Sequence, residues 1–274
     1  MSLAQAQTVL LKLYLDKGYR LAHRSDPALF AERMGLDGTH AGMVSALSPD
    51  ELDDFATTLV GKRWRLMKPR TPKACEWIEN NDPGLVAEFA ERYPMRPGAP
   101  SESQSLDLVA FLRDCADFDP EIPGSLADVA EFELMLGRAR VIGHGLPVDR
   151  SEVTPGQSGL HSEFAWDSLV WVPRRTAFAR FSHDVVGVVS GSSPIDSPEM
   201  PQGVVVSARA NGVMPRVLRV PDSTLQILES IQEPTVAERI AGATGLSPVN
   251  IRRTLVKLSD SEVIDSAYIG PPRD

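Results

Sequence analysis

Five histidines and two cysteines are the residues of this chain best suited to nucleophilic, acid–base or metal chemistry. Their spacing gives them little scope for it. His23, His40, His144, His161 and His183 are scattered, with no two at the i, i+3 or i, i+4 separation that sets two ligands on one helix face. The stretch "GLHSEFAW" brings His161 within two positions of Glu163. On a strand these two would share a face and could serve as an acid–base or metal pair; as loop residues at a domain junction they would do neither. Cys75 and Cys115 stand far apart in helix-like surroundings, which suits small apolar core residues better than a disulfide framework or a metal knuckle. No phosphate-cradling glycine loop, dinucleotide fingerprint or nucleophile elbow occurs. Acid pairs such as Asp53-Asp54 and Glu131/Glu133 read as solvated helix faces. The expectation is a chain with no catalytic residue, no metal ligand and no cofactor of its own.

The sharpest charged feature is "GKRWRLMKPR" (residues 61–70), where Lys62, Arg63, Arg65, Lys68 and Arg70 surround Trp64. Such a cluster suits a phosphate, an acidic peptide or a partner surface. Its plainer reading is the positive last turn of a helix, which the helix dipole favours. Lys62, Arg63, Trp64 and Arg65 are therefore candidates for partner docking. The net charge of −9 sets the wider background. Non-specific affinity for nucleic acid comes from Lys and Arg neutralising phosphates, so an acidic chain is a poor binder unless it carries a local basic stripe. The N-terminal stretch lacks the pattern of a secretory signal. No apolar run approaches a membrane span. A cytoplasmic protein without membrane contact is expected.

These residues must be held by two kinds of structure. The first half reads as helical. "AQTVLLKLYLDKGYRLAH" carries apolar residues at helical spacing, "RSDPALFAERMGL" has Asp26 as cap and Pro27 at the first helical position, and Gly35 ends it. In "LSPDELDDFATTLVGKRWRLM" Ser48 caps, Glu51 completes a capping box, and Leu52, Phe55, Leu59 and Leu66 form the expected buried stripe. "SLADVAEFELMLGRARVIG" closes the run with Leu126, Val129, Phe132 and Leu136 on one face. About six helices with short Pro/Gly connections predict a bundle over residues 1–145. A polar, turn-rich linker, 146–165, leads into a different composition. "LVWVP", "TAFARFS", "DVVGVVSG", "GVVVSAR" and "PRVLRVP" are short, Val-rich strand candidates, and Asn211-Gly212 signals a hairpin. Residues 166–274 should thus form a small antiparallel sheet followed by a winged-helix-like three-helix unit. The fold class is α+β.

The helical triplet is clearest in "PRVLRVPDSTLQILESIQEPTVAERIAGATGLSPVNIRRTLVKLSDSEVI" (residues 215–264). Thr235 with Glu238 marks the second helix and Gly245 its end; Ser247 and Pro248 open the third, which buries Ile251, Leu255 and Leu258. A strand feeding straight into such a triplet resembles the PqqD-type peptide-binding domain, the recognition element of many systems that mature ribosomally made peptides. That resemblance implies that the leader of a precursor peptide pairs with a sheet edge beside the third helix, a case of β-augmentation. The edge would be Arg216, Val217, Leu218, Arg219 and Val220. The neighbouring helix would contribute Asn250, Arg253 and Lys257, with Arg253 and Lys257 facing acidic leader side chains.

"SDPALFAERMGL", "LSPDELDDFATTLVGKR" and "PGSLADVAEFE" (residues 123–133) are further similar to the partner subunits of multinuclear iron oxygenases of the methanobactin and thiaglutamate type. The usual phrase there is nearer P-Y-L-A-D-L-A-x-x-E, so the order is kept and an aromatic is lost. This resemblance implies a non-catalytic subunit in a heterodimer that binds the leader and presents it to a metal-dependent modifying enzyme, with the iron held by that enzyme. The same "GLSPVNIRRTLVKL" also suits a winged-helix DNA-binding regulator, with Arg252, Arg253 and Lys257 as contacts. An enzyme built on His161 and Glu163 is the third alternative.

Overall fold

The structure is a computed structural model that describes residues 3–96, 98, 100–145, 166, 168–209 and 214–268. It is α+β, with thirteen helices and two three-stranded antiparallel sheets among the described residues, the helices mostly N-terminal and the strands C-terminal. The chain divides into two compact units, Met1–Glu131 and Phe132–Asp274, and the division falls inside one long helix.

In the first part of the N-terminal unit four helices start where a short polar side chain accepts from free backbone N–H groups. What reads in sequence as one helical run is cut in two, α1 (Leu3–Leu15) and α2 (Lys17–Ser25), because Asp16 leaves the helix and accepts from Gly18 N at 2.7 Å and Tyr19 N at 3.3 Å. Asp26 caps α3 (Pro27–Arg33) and Gly35, at φ 67°, follows its end. Asp37 caps α4 (Gly38–Ser45) and Ser48 caps α5 (Pro49–Met67). Val9, Leu13, Phe30, Val44 and Leu52 form the core of this first half. Then follow α6 (Pro72–Asn81), α7 (Gly84–Arg92) and α8 (Ser101–Phe118). Phe89 and Phe111 pack with ring centroids 5.4 Å apart. Both cysteines are free and buried.

The buried face of α5 differs from the expected stripe. It runs through Leu52, Ala56, Arg63, Trp64 and Met67, while Phe55 and Leu66 are exposed. Of the expected stripe, Leu52 is buried and Leu59 half-buried, while Phe55 and Leu66 fall outside the buried face. Glu133, expected on a solvated face, is buried in α9 (Ser125–Gly145), whose expected face of Leu126, Val129, Phe132 and Leu136 is buried as well.

The C-terminal unit holds the strands β1 (Ser168–Trp171), β2 (Thr176–Phe181), β3 (Gln202–Ser207) and β4 (Arg216–Val220). The Val-rich "DVVGVVSG", read as a strand, is instead the helix α10 (Val185–Ser190). Asp184 accepts from Gly187 N at 2.9 Å, Gly191 closes the helix at φ 80°, and Val185 and Val188 are buried one turn apart. Capping and packing override β-propensity there. The triplet follows as α11 (Asp222–Glu229), α12 (Ala237–Thr244) and α13 (Pro248–Asp260).

Two sheets stand where the sequence suggests one. β2, β3 and β4 form a meander in that order, whereas β1 lies between β5 (Thr235–Val236) and β6 (Asp265–Tyr268). Pairing of Val170 with Thr235 and of Leu169 with Val236 is why Thr235 does not cap α12: it belongs to a strand, and its hydroxyl donates to Glu233 O at 2.9 Å. The partner of β6 in the winged-helix unit is therefore β1, which comes from before the triplet in the chain. Val170, Val205, Leu225, Ile227, Ile251 and Leu255 are among the fully buried residues of the shared core, with Phe178, Leu218 and Val220 packed against it.

Candidate functional site

The register of the meander fixes which backbone groups are free. Ala208 N donates to Arg175 O at 2.8 Å, one step beyond the pairing of Ser207 with Thr176. Hydrogen-bonded and non-bonded pairs alternate in an antiparallel ladder, so Val206 and Val204 bond across to β2 while Ser207, Val205 and Gly203 turn their N–H and C=O toward β4. Their partners are Arg216, Leu218 and Val220. Val217 and Arg219 then direct their own N–H and C=O away from the sheet. β4 is an edge, and among the described residues no other backbone group bonds to these two.

Side chains follow the opposite rule, alternating between faces. Leu218 and Val220 lie on the core side, packed against the helical triplet. Arg216, on the same side, donates from Nη1 to the carbonyl of Ser261 just past α13. Its guanidinium is thus engaged by a helix C-terminus, where a cation is favoured. Arg219 lies on the other side and donates to Asp184 Oδ1 at 2.6 Å. Burial pushes the Asp184 carboxyl up, but hydrogen bonds from Gly187 N–H, Gln202 and Ser193 and the charge of Arg219 outweigh it and hold the group below the usual carboxylate range.

Between β4 and α13 runs a groove of about 400 Å³. Leu218, Val220, Ile227, Leu246 and Leu258 supply apolar lining, and Asn250, Thr254 and Ser261 polar lining. Arg219, Arg253 and Lys257 are its charged residues, and none of the lining residues is Asp or Glu. Of the eight residues expected to bind peptide, Leu218, Arg219, Val220, Asn250, Arg253 and Lys257 line this one groove; Arg216 and Val217 do not. Arg253 donates to Asn250 Oδ1 at 3.1 Å, and neither it nor Lys257 has a carboxylate partner among the described residues. Sequence reasoning missed Leu246, Ile227 and Leu258 as lining residues; helical periodicity marks Ile227 and Leu258 only as core, and Leu246 lies between α12 and α13.

The basic cluster splits. Lys62 and Arg65 are exposed, but Arg63 and Trp64 are buried, which corrects the docking expectation for those two side chains. Arg63 sits 4.1 Å over the Phe89 ring and donates to Tyr93 O, and burial pulls its guanidinium down from its ordinary value. Trp64 donates to Glu79 Oε1 at 2.9 Å; the Lys68 hydrogen bond and then this one hold the Glu79 carboxyl below its usual range. Both aromatic and cation serve the bundle interior.

His161, Glu163 and the Asn211-Gly212 turn lie outside the described residues. Among the described residues no three His, Cys, Asp or Glu side chains are grouped to hold a metal ion, and no helix is long and apolar enough to cross a membrane. No protein-family model matches the chain, and no curated protein matches it.

Proposed function

We propose that this chain is a non-catalytic partner subunit that takes up the leader of a ribosomally made precursor peptide and presents it to a metal-dependent modifying enzyme, one with a multinuclear iron site of its own. The observation that carries the reading is the edge of β4, where Val217 and Arg219 direct main-chain groups that no described backbone group uses, beside an apolar groove walled by α13. An exposed strand edge invites aggregation unless it is covered or used. Strand addition uses it: up to four main-chain hydrogen bonds hold the peptide, and alternate side chains enter the groove. At about 1 kcal/mol net for each bond, with apolar burial added and ordering costs subtracted, micromolar affinity is the expected range. A three-stranded meander leading into three helices is also the order that the PqqD-type resemblance implies.

For the enzyme-docking half of the proposal, α5 offers a mixed surface. Phe55, Lys62, Arg65 and Leu66 are exposed along one flank of its length. Apolar side chains between cations suit a protein partner better than bulk water.

The DNA-binding alternative draws on the exposed Arg252, Arg253 and Lys257 of α13. Two features weigh against it. Among the described residues the strand beside β6 is β1, and no sequence-adjacent strand pairs with it to make a wing hairpin; the chain is also acidic overall. The deciding experiment is co-purification of the tagged chain expressed with its neighbouring genes. A short precursor peptide and a metal-bearing enzyme retained at moderate salt are expected, with Val217→Pro losing the peptide and keeping the enzyme. Retention of duplex DNA that weakens steeply with salt, with no peptide, would overturn the proposal.

A further inference from the structure

We infer that the groove beside β4 selects extended peptides with acidic side chains at alternate positions, and that Arg253 and Lys257 set this preference. The inference rests on the peptide-binding reading above and adds the chemistry of the occupant.

Charge is the first argument. The chain has 37 acidic and 28 basic side chains, yet the groove lining contains no carboxylate. Two carboxylates beside β4 are engaged elsewhere, Asp184 by Arg219 and Asp222 by Arg180. With Arg219 drawn to the opposite face, the cations left for a ligand are Arg253 and Lys257. Arg253 is steadied by Asn250, and Lys257 stands one helical turn further along.

Spacing is the second. Residues four apart on a helix are separated by about 6 Å along its axis. Side chains on the same face of a strand, two residues apart, are separated by about 6.8 Å. A strand added to β4 can therefore set carboxylates at i and i+2 against Arg253 and Lys257. The groove also carries the apolar side chains of Leu218, Val220 and Leu258, which suit an aliphatic side chain at a further position of the peptide. A basic peptide would face two cations, and an uncharged one would leave them unpaired.

The test uses the full chain and fluorescein-labelled peptides of about ten residues on one Val/Thr framework, with Glu, Gln or Lys at two alternate positions followed by Leu. Anisotropy should show the Glu peptide binding about fivefold tighter than the Gln peptide and about twentyfold or more tighter than the Lys peptide, differences that shrink as salt rises. The double variant Arg253→Glu with Lys257→Glu should reverse the order. Arg252→Glu, on the same helix but not lining the groove, should leave it unchanged. Unaltered melting curves keep the comparison among folded proteins. Equal affinity for the three peptides, or a preference that survives the double charge reversal, overturns the acidic assignment. If all three bind equally and Val217→Pro abolishes binding, strand addition stands without the selectivity. If no peptide binds at concentrations up to about 1 mM, the selectivity and the peptide-binding reading fall together.

Discussion

Val217→Pro separates strand addition from every other way of using the C-terminal unit. The ladder alternation sends the Val217 N–H outward, so proline removes a donor that β3 does not use. Proline is tolerated at such edge positions, and the fold should lose less than about 1 kcal/mol. Leu218→Pro is the contrasting variant. It deletes a bond to β3 and a side chain packed on the core, and should cost about 3 kcal/mol or more. For a peptide added to β4 the lost donor is worth about 1 kcal/mol, and the pyrrolidine ring obstructs close approach of the incoming strand. Together these give about 1.5–3 kcal/mol, or roughly a ten- to hundredfold rise in Kd. Val217→Ala keeps the N–H and controls for the side chain. The assay is anisotropy of the Glu-bearing peptide, with urea unfolding of each variant alongside. Unchanged affinity in Val217→Pro refutes strand addition on β4. Unfolding as severe as that of Leu218→Pro refutes the assignment of outward and inward residues.

Three further outcomes test how the site is held. Arg216→Met keeps most of the stem and removes the charged hydrogen bond to the Ser261 carbonyl; urea unfolding should report a loss of about 1–2 kcal/mol, and no change would mean the contact contributes nothing. Gly203 lies under Leu225, where an added Cβ would come within 2.7 Å of Leu225 Cδ1 and of Val220 O, so Gly203→Ala should destabilise the meander by about 2 kcal/mol or more, with broadened strand amide signals in NMR spectra. Because the Asp184 carboxyl is held below its ordinary value when folded, the unfolded chain takes up its proton first as pH falls. The stability it supplies is complete above about pH 4 and drains away as pH drops through the folded value, so Asp184→Asn should flatten the acid limb of the unfolding profile; a limb of unchanged steepness would deny Asp184 that part.

Much of the architecture can be read directly from residue order. Asp26-Pro27, Ser48-Pro49 and Ser247-Pro248 announce helix starts, and each starts a helix here, because a cap and a fixed φ act within a few residues of themselves. The strands of the meander are legible for the same reason, and six of the eight candidates on β4 and α13 line one groove. Local signals failed where two of them competed. Val185–Ser190 has strand composition, and the Asp184 and Gly191 caps made it a helix. Thr235 has the look of a cap, and pairing with β1, far upstream, made it a strand. Tertiary packing alone decided that Arg63 and Trp64 point inward, that Arg216 and Arg219 are spent on Ser261 and Asp184, and that, among the described residues, Arg253 and Lys257 are the groove cations without a carboxylate partner. The reason is one of range. Propensity, capping and periodicity are set by neighbours in the chain, whereas the fate of a long charged side chain depends on which carbonyl or carboxylate the fold brings within reach, and sequence distance says nothing of that.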